Sequence, residues 1–552
     1  MFKRLLNGES KTITSAAIII GAASLASSFL GMFRDRILAG AFGAGDVLDT
    51  YYAAFRVPDL IYNLLVLGAL SAGFIPIFTQ LLQGEKPAED KAWKFTNEVL
   101  NILLTSLFVL GIIFWLLAPL IMPLITPGFS AEKMSATVGL TRIMFLSPLL
   151  LGLSSIFGSI LQSFKRFLVY SLAPIFYNLG IIIGALFFVK WWGVYGLAYG
   201  VVLGAFLHML VQIPSCKYLG WHYELIWQWP SQGLKKLGKI MIPRTLTLAI
   251  NQINLLVVTI IASTLAVGSL AVFNLANNLQ LFPLGIFGIS FAIAAFPTLS
   301  ALALKDDKKE FIHSFSNTTR QILFFIIPST ALLIILRAQI VRVILGSGNF
   351  SWENTVLTIN TLAMFTISLF AQALIPLLIR SFYAIHNALT PFLIGLLSAA
   401  ANLVLSIYLS RPFDLLGYHF DLNVAGLALA FSLSSILNLI LLWLALRFKT
   451  ESLDEKNISW SALKIVIATL VMAAVVQFMK FGIEPYFGTQ TFIGIFLQGL
   501  ISGLVGIGIF IVASLALKSQ EMITFATSLR RKIFKEKEFY PKESMDESVD
   551  VK

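Results

Sequence analysis

The stretch Leu30-Gly31-Met32-Phe33-Arg34-Asp35-Arg36-Ile37-Leu38-Ala39-Gly40-Ala41-Phe42-Gly43-Ala44 decides how this chain is read. Its middle carries three consecutive charges, while the residues from Ile18 to Phe33 and from Ile37 to Ala44 are apolar or small. A membrane helix needs about 20 mostly apolar residues, and the flanks supply them. A charge at bilayer depth costs roughly 2.5–3.5 kcal/mol on insertion scales. Three in a row persist only where they meet water, a partner or a ligand. The triplet therefore predicts a polar cavity inside a bundle of membrane helices, which is the plan of a transporter.

The rest of the chain agrees. Of 552 residues, 57% are hydrophobic and 12% charged, where a soluble domain carries about 25% charged residues. Met1 to Lys11 is short and basic, and the apolar run after it continues into the bundle, unlike a cleavable signal peptide. The single Cys216 excludes an intramolecular disulfide framework and a cysteine metal cluster. A net charge of +12 does not point to nucleic acid, because Lys and Arg crowd the loops on one side of the predicted bundle.

Hydrophobic runs predict about fourteen spans, near 12–33, 50–81, 97–124, 136–162, 168–190, 193–215, 240–264, 269–302, 312–336, 354–383, 389–409, 421–447, 460–480 and 490–516. One set of loops carries Lys86, Lys91 and Lys94, then Lys165 and Arg166, Lys217 with Lys235, Lys236 and Lys239, Lys305 with Lys308 and Lys309, and Arg447 with Lys449 and Lys456. Alternate loops carry only Lys133, Lys190, Arg337, Arg342, Arg411 and Lys480. The rich set shares its side with Lys3, Arg4, Lys11 and Arg530-Arg531-Lys532, so both termini are expected in the cytoplasm.

The chain also repeats itself. Val194-Tyr195-Gly196-Leu197-Ala198 matches Val424-Ala425-Gly426-Leu427-Ala428, Phe74-Ile75-Pro76 matches Ala295-Phe296-Pro297, and Ser163-Phe164 with Pro174 matches Ser381-Phe382 with Pro391. The repeat covers an even number of spans, so its copies are parallel, with a substrate site expected between them. The expected fold is an all-α integral membrane protein. It has two parallel six-helix lobes around a central cavity, residues 1–225 and 226–450, and two extra helices in 451–517 that form a groove for a lipid tail. A charged cytoplasmic tail, 518–552, includes a disordered end.

The candidate site is lopsided. Arg34, Asp35, Arg36, Asp49, Arg56 and Asp59 lie in or beside the first two spans, whereas the matching stretch of the second lobe offers Asn274, Asn277 and Asn278. A charged part of a ligand is expected at the first lobe and a neutral hydroxylated or amide part at the second. Arginine suits a diphosphate because its planar fork of donors is always charged. Three arginines face three aspartates, so internal ion pairing competes with ligand binding. A turn of 100° per residue places Arg34 and Asp35 on different faces, leaving one arginine for a ligand. The Pro residues in the spans suggest bends used in alternating access. Gly494, Gly499, Gly503, Gly506 and Gly508 in the last span predict close helix packing or a smooth groove. His208, His313 and His386 are expected to be packing or surface residues. No HExxH, P-loop or GxSxG occurs, so the sequence predicts neither an enzyme nor a nucleotide, metal or other cofactor.

Several of these residues carry a resemblance. Leu30-Gly31-Met32-Phe33-Arg34-Asp35, Phe42-Gly43-Ala44-Gly45, Asp49, Phe55-Arg56-Val57-Pro58-Asp59-Leu60 and Gly68-Ala69-Leu70-Ser71-Ala72-Gly73-Phe74-Ile75-Pro76 resemble the MurJ/MviN family of lipid II flippases. Phe382-Tyr383-Ala384 with Thr390-Pro391 is similar to its second-lobe motif. The resemblance implies movement of lipid II, the undecaprenyl-diphosphate-linked peptidoglycan precursor, or a related polyprenyl-diphosphate glycolipid, across the bacterial cytoplasmic (inner) membrane for cell wall synthesis. It also implies a cationic cavity and coupling to a cation or the membrane potential, with membrane lipids as the other partners. Arg34, Asp35 and Asp49 match positions that matter in the family. This chain departs from its pattern at Ser28, Tyr62 and Asn63, which stand where arginines are usual, and at Asn277-Asn278 and Asn387, which replace charged residues. Arg36, Arg56 or Arg244 is expected to compensate. The rival readings are a flippase for another polyprenyl-linked oligosaccharide, a cation-coupled drug exporter, a polyprenol-dependent glycosyltransferase and a non-transporting envelope scaffold.

Overall fold

The computed structural model describes residues 13–67, 70–82, 88–226, 232–305, 307–415, 417–488 and 490–533. Its first half contains α1 (Ile13–Phe42), α2 (Asp46–Ala54), α3 (Arg56–Tyr62), α4 (Leu70–Leu82), α5 (Ala88–Ile125), α6 (Ala131–Met144), α7 (Leu146–Ser163), α8 (Phe167–Ile183), α9 (Val189–Trp192), α10 (Tyr195–Leu210) and α11 (Ile213–Tyr218). The second contains α12 (Gln232–Ser263), α13 (Ser269–Pro283), α14 (Ser290–Leu304), α15 (Lys308–Ile335), α16 (Arg337–Ile344), α17 (Trp352–Thr366), α18 (Leu369–Ala384), α19 (Leu389–Leu409) and α20 (Val424–Thr450). A hairpin of β1 (Phe413–Leu415) and β2 (Tyr418–Phe420) interrupts it, with Phe413 opposite Phe420. Then follow α21 (Glu455–Phe487), α22 (Phe492–Ala516) and α23 (Gln520–Ile533).

Among the described residues, ten helices are long and apolar enough to cross a membrane, and α17 with α18, bent by 46°, makes up to eleven. The expected fourteen is not reached on this measure. The shortfall falls on the stretches that hold α1, α2 to α4, and α12. Parts of these stretches lie outside the described residues, and α2 and α3 are short helices broken at Phe55. In α12 only Gln252–Ser263 registers as an apolar helix. Lys3, Arg4, Lys11, Lys86, Gly68 and Ala69 lie outside the described residues, as does the tail from residue 534.

The repeat is visible in backbone detail. A π turn at Asn63–Leu67 precedes the helix containing Pro76, and another at Leu284–Ile289 precedes the helix containing Pro297, about 220 positions later. Membrane helices tolerate such interruptions where neighbouring groups satisfy the freed backbone. In the first half, α8 and α10 touch backbone to backbone through Gly180 and Gly184 facing Gly204 and Gly200. A Cβ on Gly180 would stand 2.2 Å from the Cα of Gly204, which is the close approach that small residues four apart allow.

The two halves share a core at one end, and α12 also packs onto the first half through Leu237 and Leu256. At the shared end a single hydrophobic cluster joins Leu48, Ala54 and Leu197 to Leu270, Phe365 and Leu427. Toward the other end the core divides, one cluster holding Phe74, Phe157 and Leu161 and another Phe315, Leu377 and Phe382. The joined end carries the turns near 43–45, 126–130, 264–268 and 345–351; the divided end carries those near 164–166, 219–226 and 451–454.

The C-terminal segments pack onto the second half. The glycines of α22 serve packing at two positions: a Cβ on Gly506 would stand 2.3 Å from Val476, and one on Gly494 would stand 2.4 Å from the Gly488 carbonyl. The tail begins as a helix. In α23, Phe525 packs edge-on against Phe325 with ring centroids 5.4 Å apart, and Glu521 lies 3.5 Å from Arg320. A buried carboxylate with a cation partner and an aromatic anchor is enough to fold this part of the charged tail back onto α15.

Candidate functional site

The triplet sits about 12 Å below the joined end, eight residues of helix at roughly 1.5 Å each. Arg34 and Asp35 do meet, against the expectation from the helical turn. The Arg34 side chain reaches around the helix, and its Nε and Nη2 donate to Asp35 Oδ1 at 3.0 and 2.7 Å. Its Nη1 donates to Asn178 Oδ1 at 3.0 Å. The other Asp35 oxygen accepts from Asn278 Nδ2, across the halves, at 2.9 Å. Asp35 is buried, whereas the Arg34 side chain keeps 22% of its surface exposed. Arg36 points elsewhere: it donates to the Val343 carbonyl near the end of α16 and lies over the Phe492 ring at 4.9 Å. It ties the first half to α16 and α22 and is not at the cleft.

Asp49 and Arg56 also bridge the halves. Asp49 is buried and accepts from the backbone N–H groups of Gly268 and Ala271, both at 2.8 Å. It thereby satisfies orphan donors at the N-terminus of α13, where a carboxylate also meets the helix dipole favourably. Lys133 binds the same Asp49 at 2.8 Å and Asp46 at 2.7 Å. Arg56 donates to Thr259 Oγ1 at 2.7 Å and to Asn274 Oδ1 at 2.9 Å. Asn277 accepts from Gln280 at 2.9 Å. Asn274, Asn277 and Asn278 of the second half all take part in hydrogen bonds within the protein.

Backbone completes the seal at the joined end. Asn349 N–H donates to the Gly40 carbonyl at 2.8 Å, and the Asn349 side chain donates to the Ala41 carbonyl at 2.7 Å. Gly268, at φ +88°, lies so close to Ala44 that a Cβ would stand 2.1 Å from its carbonyl oxygen.

Two cavities flank this junction. One, of about 450 Å³, lies in the divided-end part of the first half among α1, α3, α7, α8 and α10, with Ser28, Tyr62 and His208 in its wall. The other, of about 650 Å³, is a groove of Leu, Ile, Phe and Trp side chains between α15, α18, α20 and α21. It was expected from both extra helices, but α22 contributes nothing to its lining. The apolar sequence of α22 could not distinguish a groove wall from a packing face.

Sequence reasoning missed Lys133, Asn178 and Thr259 as partners of the site. Lys133 was legible only as a loop charge, and the other two carry no signal until the helices are assembled. His208 is half-buried between helices, and its Nδ1 lies 2.6 Å from Ser154 Oγ in the cavity wall.

The family described as lipid II flippase MurJ matches residues 38–498 of this chain. The chain belongs to that family. A probable lipid II flippase MurJ of Rhizobium tropici is 30% identical over 481 residues, covering 86% of this chain and 88% of the relative. One of Thermotoga maritima is 30% identical over 500 residues, covering 90% and 95%. A solved structure of lipid II flippase MurJ in an inward closed conformation is 26% identical with a TM-score of 0.73, covering 94% of this chain and all of that one. An inward-facing multidrug resistance transporter of the MATE family, 14% identical with a TM-score of 0.64 over 80% of this chain and 99% of its own, shares the fold. Against the MurJ pattern, the expected compensators Arg36 and Arg56 are engaged in bonds between elements, and the Arg244 side chain lies outside the described residues. Asn387 caps α19, accepting from Thr390 N–H at 3.1 Å.

Proposed function

We propose that this chain moves lipid II from the inner to the outer leaflet of the bacterial cytoplasmic membrane by alternating access. The observation that carries the reading is Arg34, a half-buried side chain held by Asp35 and Asn178 where the two halves begin to part, in a chain of the MurJ family. Arg34 offers its charge and remaining N–H capacity to a diphosphate. The apolar groove against α21 suits a polyprenyl tail that stays in the lipid while the head group crosses. The excess of Lys and Arg at the divided end supports a cytoplasmic placement for that end and for both termini. The arrangement is then inward-facing, with the seal at Asp49, Gly268 and Asn349 on the outer side.

Coupling to a cation gradient or to the membrane potential belongs to the same proposal, since the sequence holds no P-loop for a nucleotide. The chain acts as a transporter and not as an enzyme. A drug-export reading has support only from the shared fold. Replacing Arg34 by Ala is expected to abolish rescue of flippase-depleted bacteria while the protein reaches the membrane at normal abundance. Full rescue by Arg34→Ala would remove Arg34 from the mechanism.

A further inference from the structure

The cavity in the first half has a wall chemistry unlike that of the Arg34 junction. Hydroxyl groups reach it from α1 through Ser24 and Ser28, from α3 through Tyr62, and from α7 through Ser154 and Ser155. Gln212 and His208 close it from α10 and the turn that follows, and among the described residues no Lys, Arg, Asp or Glu lines it. At about 450 Å³ it falls in the range of small-molecule sites, and as liquid it would hold about fifteen waters at roughly 30 Å³ each.

Two observations point to a ligand. The first is unused hydrogen-bonding capacity. Gln212, fully buried, donates to Ser154 Oγ at 2.6 Å and to the His208 carbonyl at 3.0 Å, yet its Oε1 has no partner. The buried Ser171 hydroxyl is also unpartnered. Buried polar groups are normally paired, and an unmet one costs free energy. The second is position. Asn178, which accepts from Arg34, turns its own Nδ2 toward the Ser27 carbonyl at 3.4 Å, so one side chain links the guanidinium to the cavity wall. Ser28 and Tyr62 both stand in this wall.

A diphosphate would find no cation in such a pocket. A saccharide ring would find donors and acceptors without net charge, and the aromatic side chains of Tyr62 and Tyr170 in the same wall. We infer that this cavity is a neutral saccharide subsite: it takes a hydroxyl- and amide-bearing sugar of the glycolipid while the diphosphate stays at Arg34. The inference rests on the flippase reading for the identity of the glycolipid.

The test measures binding of undecaprenyl diphosphate and of lipid II to the full-length protein in nanodiscs, beside leaflet exchange of lipid II in liposomes. The wild type is expected to bind lipid II at least tenfold more tightly than the bare diphosphate lipid. Filling the pocket with Ser28→Leu and Ser155→Leu is expected to erase that preference and leave binding of the bare lipid unchanged. Tyr62→Phe, which removes one hydroxyl and no volume, is expected to reduce the preference severalfold, and it serves if the filled variant does not fold. Equal affinities in the wild type, or equal loss of both lipids in the variants, overturns the subsite. A clear preference without leaflet exchange by the wild type leaves the subsite standing and overturns the flippase reading instead.

Discussion

Asp49 shows how one side chain joins distant parts of the chain. Its carboxylate takes two backbone N–H groups at the start of α13 and the Lys133 ammonium. Hydrogen bonds to charged groups contribute roughly 1.5–3 kcal/mol each. Asp49→Asn keeps one acceptor and loses the charge, so the sealed end is expected to loosen by about 2 kcal/mol, roughly thirtyfold in the open-to-closed ratio. Labelling of a cysteine placed at Ala44 by an impermeant thiol reagent measures this, and an unchanged rate contradicts the role. At this scale the sequence showed that charge is rare and clustered, hence where to look. It could not show the pairing. Arg34 and Asp35 are neighbours in sequence whose bond depends on a long side chain reversing its direction. Arg36, beside them, leaves for a different helix altogether.

Among the elements, α13 is where closure is decided. Its N-terminus follows Gly268, which has a left-handed φ of +88° and lies against the Ala44 carbonyl. Gly268→Ala adds a Cβ both to a backbone conformation that L-residues rarely adopt and to a space that backbone already fills. The variant is expected to insert and to retain its helical content by circular dichroism. Its outer end is expected to stay open, raising the same thiol labelling and lowering transport at least tenfold. Wild-type labelling and transport would show that the contact is dispensable. The spans themselves were legible, because length and hydropathy are local properties. The three π turns, at Asn63–Leu67, Gly184–Phe188 and Leu284–Ile289, were not, because all lie in apolar runs. The helix at the start of the tail was not legible, since α23 is amphipathic and its apolar face becomes useful only once α15 is beside it.

The whole molecule follows from a repeat folded twice and joined at one end. The parallel copies were visible in matched motifs, and their shared core at the sealed end explains why those motifs persist near Leu197 and Leu427. What sequence could not give was the asymmetry between the copies. The second copy spends its asparagines on bonds within the protein, while the first holds the neutral cavity. Hydroxyl side chains assembled from several separate helices make no contiguous motif.

The central claim is that the seal between the halves must open for lipid II to cross. Cysteines at positions 41 and 349, where Asn349 meets the Ala41 carbonyl, allow the seal to be locked by oxidation and released by a reductant. The decisive measurement is leaflet exchange of labelled lipid II in liposomes containing this Ala41→Cys, Asn349→Cys protein. The account predicts exchange by the reduced protein, loss of exchange on oxidation, and recovery on reduction. Exchange that continues at the same rate through a fully formed cross-link would contradict it.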